Sequence, residues 1–122
     1  MKSTVQRTDR VGDLLLREIS AILSREVKEP LASHVTITGV RVSKDLKHAR
    51  VYYTALQDES ELQDVAAALK RSAGFVQRLL GSRLRLRSVP RLHFDYDTSL
   101  RDAARMEELL RGIDSEGSDE GS

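Results

Sequence analysis

The tightest constraint on how this chain can fold is a pair of adjacent runs with a two-residue period, Val35–Ser43 (VTITGVRVS) and His48–Leu56 (HARVYYTAL). Such alternation places successive side chains on opposite faces of a strand. Only Lys44-Asp45-Leu46-Lys47 separates the runs, a polar connector short enough to make a hairpin the natural reading. In the second run Ala49, Val51, Tyr53 and Ala55 share one face, and His48, Arg50, Tyr52 and Thr54 the other. The first run changes phase, with Val35 and Ile37 at odd positions but Val40 and Val42 at even ones. An extra residue at Thr38-Gly39 would restore the register, so a β-bulge is expected there.

Helical periodicity flanks the hairpin. Val11, Leu15, Ile19, Ile22 and Glu26/Val27 recur every three or four residues and predict an amphipathic helix over Val11–Val27. Thr8 and Asp9 offer capping chemistry, Pro30 stops the helix, and Leu14, Leu16 and Leu23 widen its apolar face. From Glu61 onward, Leu62, Val65, Ala66, Leu69, Phe75, Val76, Leu79 and Leu80 trace a second long helical stretch ending near Gly81. Ser72-Ala73-Gly74 lies in its middle, where a glycine costs about 1 kcal/mol relative to alanine. A kink or a close backbone approach is expected at these three small residues. Arg91–Asp97 (RLHFDYD) reads as a third strand with Leu92, Phe94 and Tyr96 on one face. Ser99 followed by Asp102 resembles a capping box ahead of a short helix carrying Leu100, Ala103, Met106 and Leu110. The order α-β-β-α-(kink)-α-β-α describes an α+β two-layer sandwich, a three-stranded sheet with its helices on one face. Phe75, Phe94, Tyr53 and Tyr96 fall in apolar phase and are expected in the core, which leaves Tyr52 as the outward aromatic.

The length of 122 residues fits one domain over 1–111 followed by a disordered acidic tail, 112–122. With no cysteine, disulfides, thiolate metal sites and cysteine nucleophiles are excluded. Neither a secretory h-region nor a run long enough to span a membrane is present, so the expected location is the cytoplasm. A net charge of +1 conceals segregation. Residues 1–94 hold 17 basic and 10 acidic residues, an excess of seven positive charges, whereas 95–122 hold 3 and 9, an excess of six negative ones. Between Asp64 and Asp95 there is no acid at all, but there are Lys70, Arg71, Arg78, Arg83, Arg85, Arg87 and Arg91, with His93. Guanidinium donors can grip phosphate oxygens bidentately, and half or more of protein–nucleic acid hydrogen bonds go to the backbone. An RNA contact is therefore expected along this stretch; the competing reading pairs these arginines with the acidic tail, Glu61 or Asp64. A second basic cluster, Arg41, Lys44, Lys47, His48 and Arg50, lies at the hairpin. Catalytic constellations are missing. His34, His48 and His93 stand in separate segments, no glycine-rich phosphate loop follows a strand, and the acidic pairs Glu107-Glu108 and Asp95/Asp97 have no partner for acid–base chemistry. No metal, no cofactor and no enzymatic activity is expected.

Several pieces in order resemble the ribosome-binding factor A family, bacterial assembly factors of the small ribosomal subunit. They are Arg10-Val11, Ile22 to Pro30 (ILSREVKEP), Ser43-Lys44-Asp45-Leu46 with Ala49-Arg50-Val51-Tyr52, Ser72-Ala73-Gly74-Phe75-Val76, Leu84 to Pro90 (LRLRSVP), and Phe94 to Leu100 (FDYDTSL), so the resemblance runs from about Arg7 to about Leu110. The family is similar to type II K-homology domains, with an Ala-x-Gly kink where nucleic-acid-binding members carry a GxxG loop; here serine, Ser72, stands at the alanine position. The resemblance implies a protein that binds the free or immature small subunit, assists maturation of its RNA and leaves before translation; a monomer is expected, with assembly GTPases as further partners. Recognition by shape and phosphate, not by clamping single-stranded bases, is the expectation. The alternative is a general RNA-binding or translation-regulating module of K-homology type acting on other RNA.

The tail generates the first test. Gly112–Ser122 contains Ile113 as its one apolar residue and cannot add to a core. Truncation at Arg111 should leave the Tm nearly unchanged in a thermal melt and should not weaken RNA binding. A large fall in Tm would mean that the tail docks on the domain.

Overall fold

The computed structural model describes the backbone of residues 2–86, 88–99 and 106–111, with side chains from residue 7 onward. Arg87, Leu100, Asp102, Ala103 and the acidic tail lie outside the described residues.

Helix α1 runs from Lys2 to Glu26. It starts well before Val11, so Thr8 and Asp9 are helical and do not cap it. The reason is compositional: no glycine or proline stands between Lys2 and Asp9, and Lys, Gln and Arg are good helix formers. Its inner stripe, Leu15, Ile19, Ile22 and Leu23, is fully buried, Leu16 is half-buried, and Leu14 remains 41% exposed, outside the apolar face assigned to it. Pro30 works at both ends of a short break. Glu29 is extended (φ −73°, ψ 115°), and Pro30 opens the one-turn helix α2, Pro30–Ser33, where its missing N–H is not needed.

The sheet consists of β1 (Thr36–Val42), β2 (His48–Thr54) and β3 (Arg91–Tyr96), in that spatial order. Strands β1 and β2 form the expected antiparallel hairpin, and the register jumps from Ile37↔Tyr53 to Gly39↔Tyr52. Thr38 is the extra residue, so the bulge lies where the phase change requires it. Its hydroxyl donates to Asp97 Oδ2 at 2.5 Å, tying the bulge to the end of β3. The hairpin turn is fixed by its own side chains. Asp45 Oδ1 accepts from the Ser43 hydroxyl at 2.6 Å and from the Lys47 N–H at 3.0 Å, and the Ser43 hydroxyl accepts the His48 N–H at 3.1 Å. The Ser43 bond, then the Lys47 one, holds the Asp45 carboxyl below its ordinary pKa. Leu46 completes the turn at φ 60°, a left-handed conformation that a branched side chain adopts at a cost.

A 3₁₀ turn at Glu59–Glu61 leads into α3, Leu62–Arg83, the crossover that makes β3 parallel to β2. Helix α3 is a single helix of 22 residues, without the break expected at Ser72-Ala73-Gly74. Ser72 is buried against the core, and a Cβ built on Gly74 would meet nothing within 4 Å. The small residues thus do not interrupt the helix, and no other backbone approaches Gly74. The fixed burial of Val65, Leu69, Val76 and Leu80 on either side offsets the propensity cost of one glycine. Phe75, expected in the core, is 37% exposed, whereas Tyr53 is buried and Phe94 and Tyr96 pack half-buried at its edge.

Ala49, Val51 and Tyr53 of β2, Ile37 of β1 and Leu92 of β3 meet α1 and α3 in one core, closed by Ala32 and Pro90. The sheet and α1 touch most closely at Gly12, where an added Cβ would lie 2.8 Å from the Val40 carbonyl oxygen. Both helices lie on this inner face; Arg41, His48, Arg50, Arg91 and His93 on the other are exposed. Beyond β3, residues 106–111 are helical, with Met106, Leu109 and Leu110 each at least half exposed.

The two glycines give opposite expectations. Gly12→Ala forces α1 away from the β1 backbone and should destabilise by about 1–3 kcal/mol. Gly74→Ala, in open space within a continuous helix, should stabilise by about 0.5–1 kcal/mol. Urea denaturation of both variants reads the signs, and destabilisation by Gly74→Ala would restore a break in α3.

Candidate nucleic-acid interface

Small residues on α3 do have a consequence, on the surface. Ala66, Ala73 and Gly74 leave an open groove of about 660 Å³ between this helix and β3. Lys70 and Gln77 stand on its helical wall, and Arg91 to Asp95 form the strand wall. Strand β3 is an edge of the sheet. Its Arg91 N–H donates to the Lys47 carbonyl at 2.8 Å and the Asp97 N–H to the Tyr53 carbonyl at 2.7 Å. By the alternation of a parallel ladder, the backbone groups of Leu92 and Phe94 then point away from β2, toward the groove. The groove therefore offers Lys70, Gln77, Arg91 and His93 as donors. Its acid, Asp95, is occupied by Arg50 Nε at 3.0 Å.

The outer face of the sheet continues this basic surface. Cross-strand partners there are Arg41↔Arg50, Arg50↔His93 and His48↔Arg91. His48 Nδ1 and His93 Nε2 lie 3.0 Å apart, their rings 5.2 Å between centroids and tilted by 34°. Tyr52, half-buried, faces outward opposite Gly39, whose Cα would carry a Cβ only 4.0 Å from the tyrosine ring. The ring covers the glycine's gap, a structural use that competes with base stacking. Lys44 and Lys47 are exposed on the braced hairpin turn.

The basic residues read from the sequence fall into two groups. Arg71 pairs with Glu29, Arg83 with Glu26 at 3.2 Å and Glu18 at 3.6 Å, and Arg50 with Asp95. Arginines of the acid-free stretch are thus partly neutralised, but by α1 and the segment before α2, and not by Glu61 or Asp64. Lys70, Arg78, Arg85, Arg91, Lys44 and Lys47 make no ion pair among the described residues and are all exposed. The groove joins Lys70 to Arg91 across 21 positions of sequence, and β2–β3 pairing brings Arg91 beside the hairpin cluster. Arg71 and Arg83 face α2 and α1 instead. Gln77 and the His48–His93 contact were not singled out by sequence. The outward phase of His93 on its strand was readable, but the adjacency of β2 and β3 was not. Among the described residues no group of three His, Asp or Glu side chains is placed to hold a metal ion, and no helix is long and apolar enough to cross a membrane.

Comparison with known proteins agrees with this geometry. The profile of the family described as Ribosome-binding factor A matches residues 7–110. Ribosome-binding factor A of Thioalkalivibrio sulfidiphilus is 44% identical over 110 residues, covering 90% of this chain and 85% of that protein. The crystal structure of ribosome-binding factor A from Thermus thermophilus is similar with a TM-score of 0.66 at 27% identity, over 73% of this chain and 93% of that one. The T. thermophilus factor fitted into a cryo-EM map of a 30S complex gives a TM-score of 0.59 at 28% identity, over 71% and 91% of the two chains. Sequence match over nearly the whole domain and the shared α+β architecture lead to one conclusion: the chain belongs to the ribosome-binding factor A family.

Proposed function

We propose that the chain binds the free or immature small ribosomal subunit through its ribosomal RNA and assists maturation of that RNA, as a monomeric cytoplasmic binding module without catalytic activity of its own. Assembly GTPases are compatible further partners. The observation that carries this reading is the groove between α3 and β3, where Lys70 and Arg91 are exposed and make no ion pair among the described residues. Its family membership and the 30S complex of the T. thermophilus relative support the choice of RNA. Arg78, one turn beyond Gly74, and Arg85 in the connector extend the same unpaired charge. The residues match a surface that reads phosphate and shape, because donors abound and no aromatic platform of two or three rings accompanies them.

Salt dependence tests the assignment. Each neutralised phosphate releases counterions, so affinity should fall with salt at a log–log slope of about −0.7 to −0.9 per contact. Lys70→Ala with Arg91→Ala should weaken co-sedimentation with purified 30S subunits and flatten the slope by about one to two units, with the Tm held. Arg71→Ala with Arg83→Ala should change affinity less, because those charges already have carboxylate partners. Unchanged affinity and slope in the first pair would remove the groove from the interface. Binding to polysomes in preference to free subunits would favour a general RNA-binding role.

A further inference from the structure

The outer sheet face holds an arrangement that the groove does not explain. His48 on β2 and His93 on β3 are both exposed, yet their ring nitrogens meet at 3.0 Å. A nitrogen–nitrogen contact of this length holds one proton between two rings, so at least one of the facing nitrogens is unprotonated. The neighbours are predominantly cationic. Arg41 comes from β1, Lys47 and Arg50 from β2 and its turn, Arg91 from β3, and Lys70 from α3 across the groove that His93 also lines. The carboxylates nearby are Asp95, held by Arg50, and Asp45, held by Ser43 and Lys47. Asp45 also acts electrostatically on His48, but five cations face two carboxylates here. A second charged ring therefore adds to an excess of positive charge until an anion arrives.

We propose that the His48–His93 pair is a proton-linked binding site for a phosphate group, supplied by the RNA backbone. This rests on the reading that the partner is RNA. An arriving phosphate oxygen accepts from one ring and offers the other a reason to protonate, and the N···N contact is exchanged for two charge-assisted hydrogen bonds to oxygen. The ring that had accepted the shared proton takes up one from solvent at its facing nitrogen, which forms one N–H bond and an imidazolium; no other covalent bond changes. Arg91 and Arg41, opposite His48 and Arg50, are placed to contact the flanking charge. Because the bound state carries the extra proton, binding at this site tightens as pH falls from 8 to 6. A phosphodiester keeps a single negative charge throughout, and the pH dependence therefore reports on the protein.

The experiment measures affinity of the fluorescently labelled chain for purified 30S subunits from pH 8 to pH 6 at constant ionic strength. The expected gain is about three- to tenfold, a mean uptake of about a quarter to a half proton per complex across the two pH units. His48→Gln and His93→Gln should each abolish the gain between pH 8 and pH 6, whatever affinity each retains at pH 8. Both positions are exposed, and a Tm within a few degrees of the parent confirms the fold. Imidazole NMR signals of the free protein, titrated with dimethyl phosphate and with inorganic phosphate, distinguish the sources. Response to both with a pH-linked 30S affinity supports the proposal. Response to inorganic phosphate alone, with 30S affinity indifferent to both substitutions, overturns the RNA assignment. A wild type without the gain, or variants that retain it, overturns the linkage. Loss of 30S binding at every pH would instead defeat the proposed function, and the NMR titration would still read the site.

Discussion

Strand β2 has hydrogen-bonded neighbours on both sides, and its Ala49, Val51 and Tyr53 are buried beneath α1 and α3. The rest of the molecule is arranged around that position. The inner face of β2 belongs to the same buried cluster as the apolar stripes of α1 and α3, so neither helix can shift without opening that core. Because both lie on one side, the other side of the sheet faces solvent, and the alternation that buries Val51 sends Arg50 outward. The buried apolar row and the basic outer row are thus two readings of a single two-residue period. The bulge at Thr38 serves this constraint: without it, Val40 and Val42 would turn outward and the contact of α1 with β1 at Gly12 would be lost.

Local patterns were the legible part of the fold. Strand positions, the hairpin, the bulge and the stop at Pro30 follow from short-range periodicity and from residues with restricted backbones. Two elements were misjudged because propensity was weighed without tertiary context. The N-terminal extension of α1 has no apolar stripe to announce it, only an absence of breakers. Ser72-Ala73-Gly74 was read as a kink or a close backbone approach, but the glycine's cost of about 1 kcal/mol is small against the buried side chains that hold α3 continuous on either side. Its apparent purpose lies on the solvent side, where lacking a side chain deepens the groove. Phe75 was placed inside by its apolar phase, although the stripe beside it already filled the core.

The candidate site was legible as a charge imbalance and illegible as a geometry. An acid-free run from Val65 to Phe94 marks where anions are welcome. It cannot tell which cations have carboxylates waiting on other elements. Arg83 finds Glu18 and Glu26 on α1, and Arg71 finds Glu29 before α2, over separations of more than forty residues. His48 and His93 are likewise 45 positions apart. Parallel pairing of β2 with β3 creates that contact, and nothing in the spacing of histidines along the chain encodes it.

This division of the basic residues has a physical use. Exposed ion pairs contribute about 0–1 kcal/mol each, too little to account for the stability of the domain. They can still set which elements move together. Arg83 holds the end of α3 to α1, Arg71 holds its middle to the segment before α2, and Arg50 joins the outer rows of β2 and β3 through Asp95. The two walls of the groove are thereby fixed from behind, and Asp45 fixes the turn that carries Lys44 and Lys47. Lys70, Arg78, Arg85 and Arg91 have no carboxylate partner among the described residues and stand on a frame already in place. A folded RNA presents its phosphates at set spacings, and a surface that needs little ordering to meet them loses less of its interaction energy on binding. On the proposed reading, the paired arginines act on binding by holding the frame that carries the others.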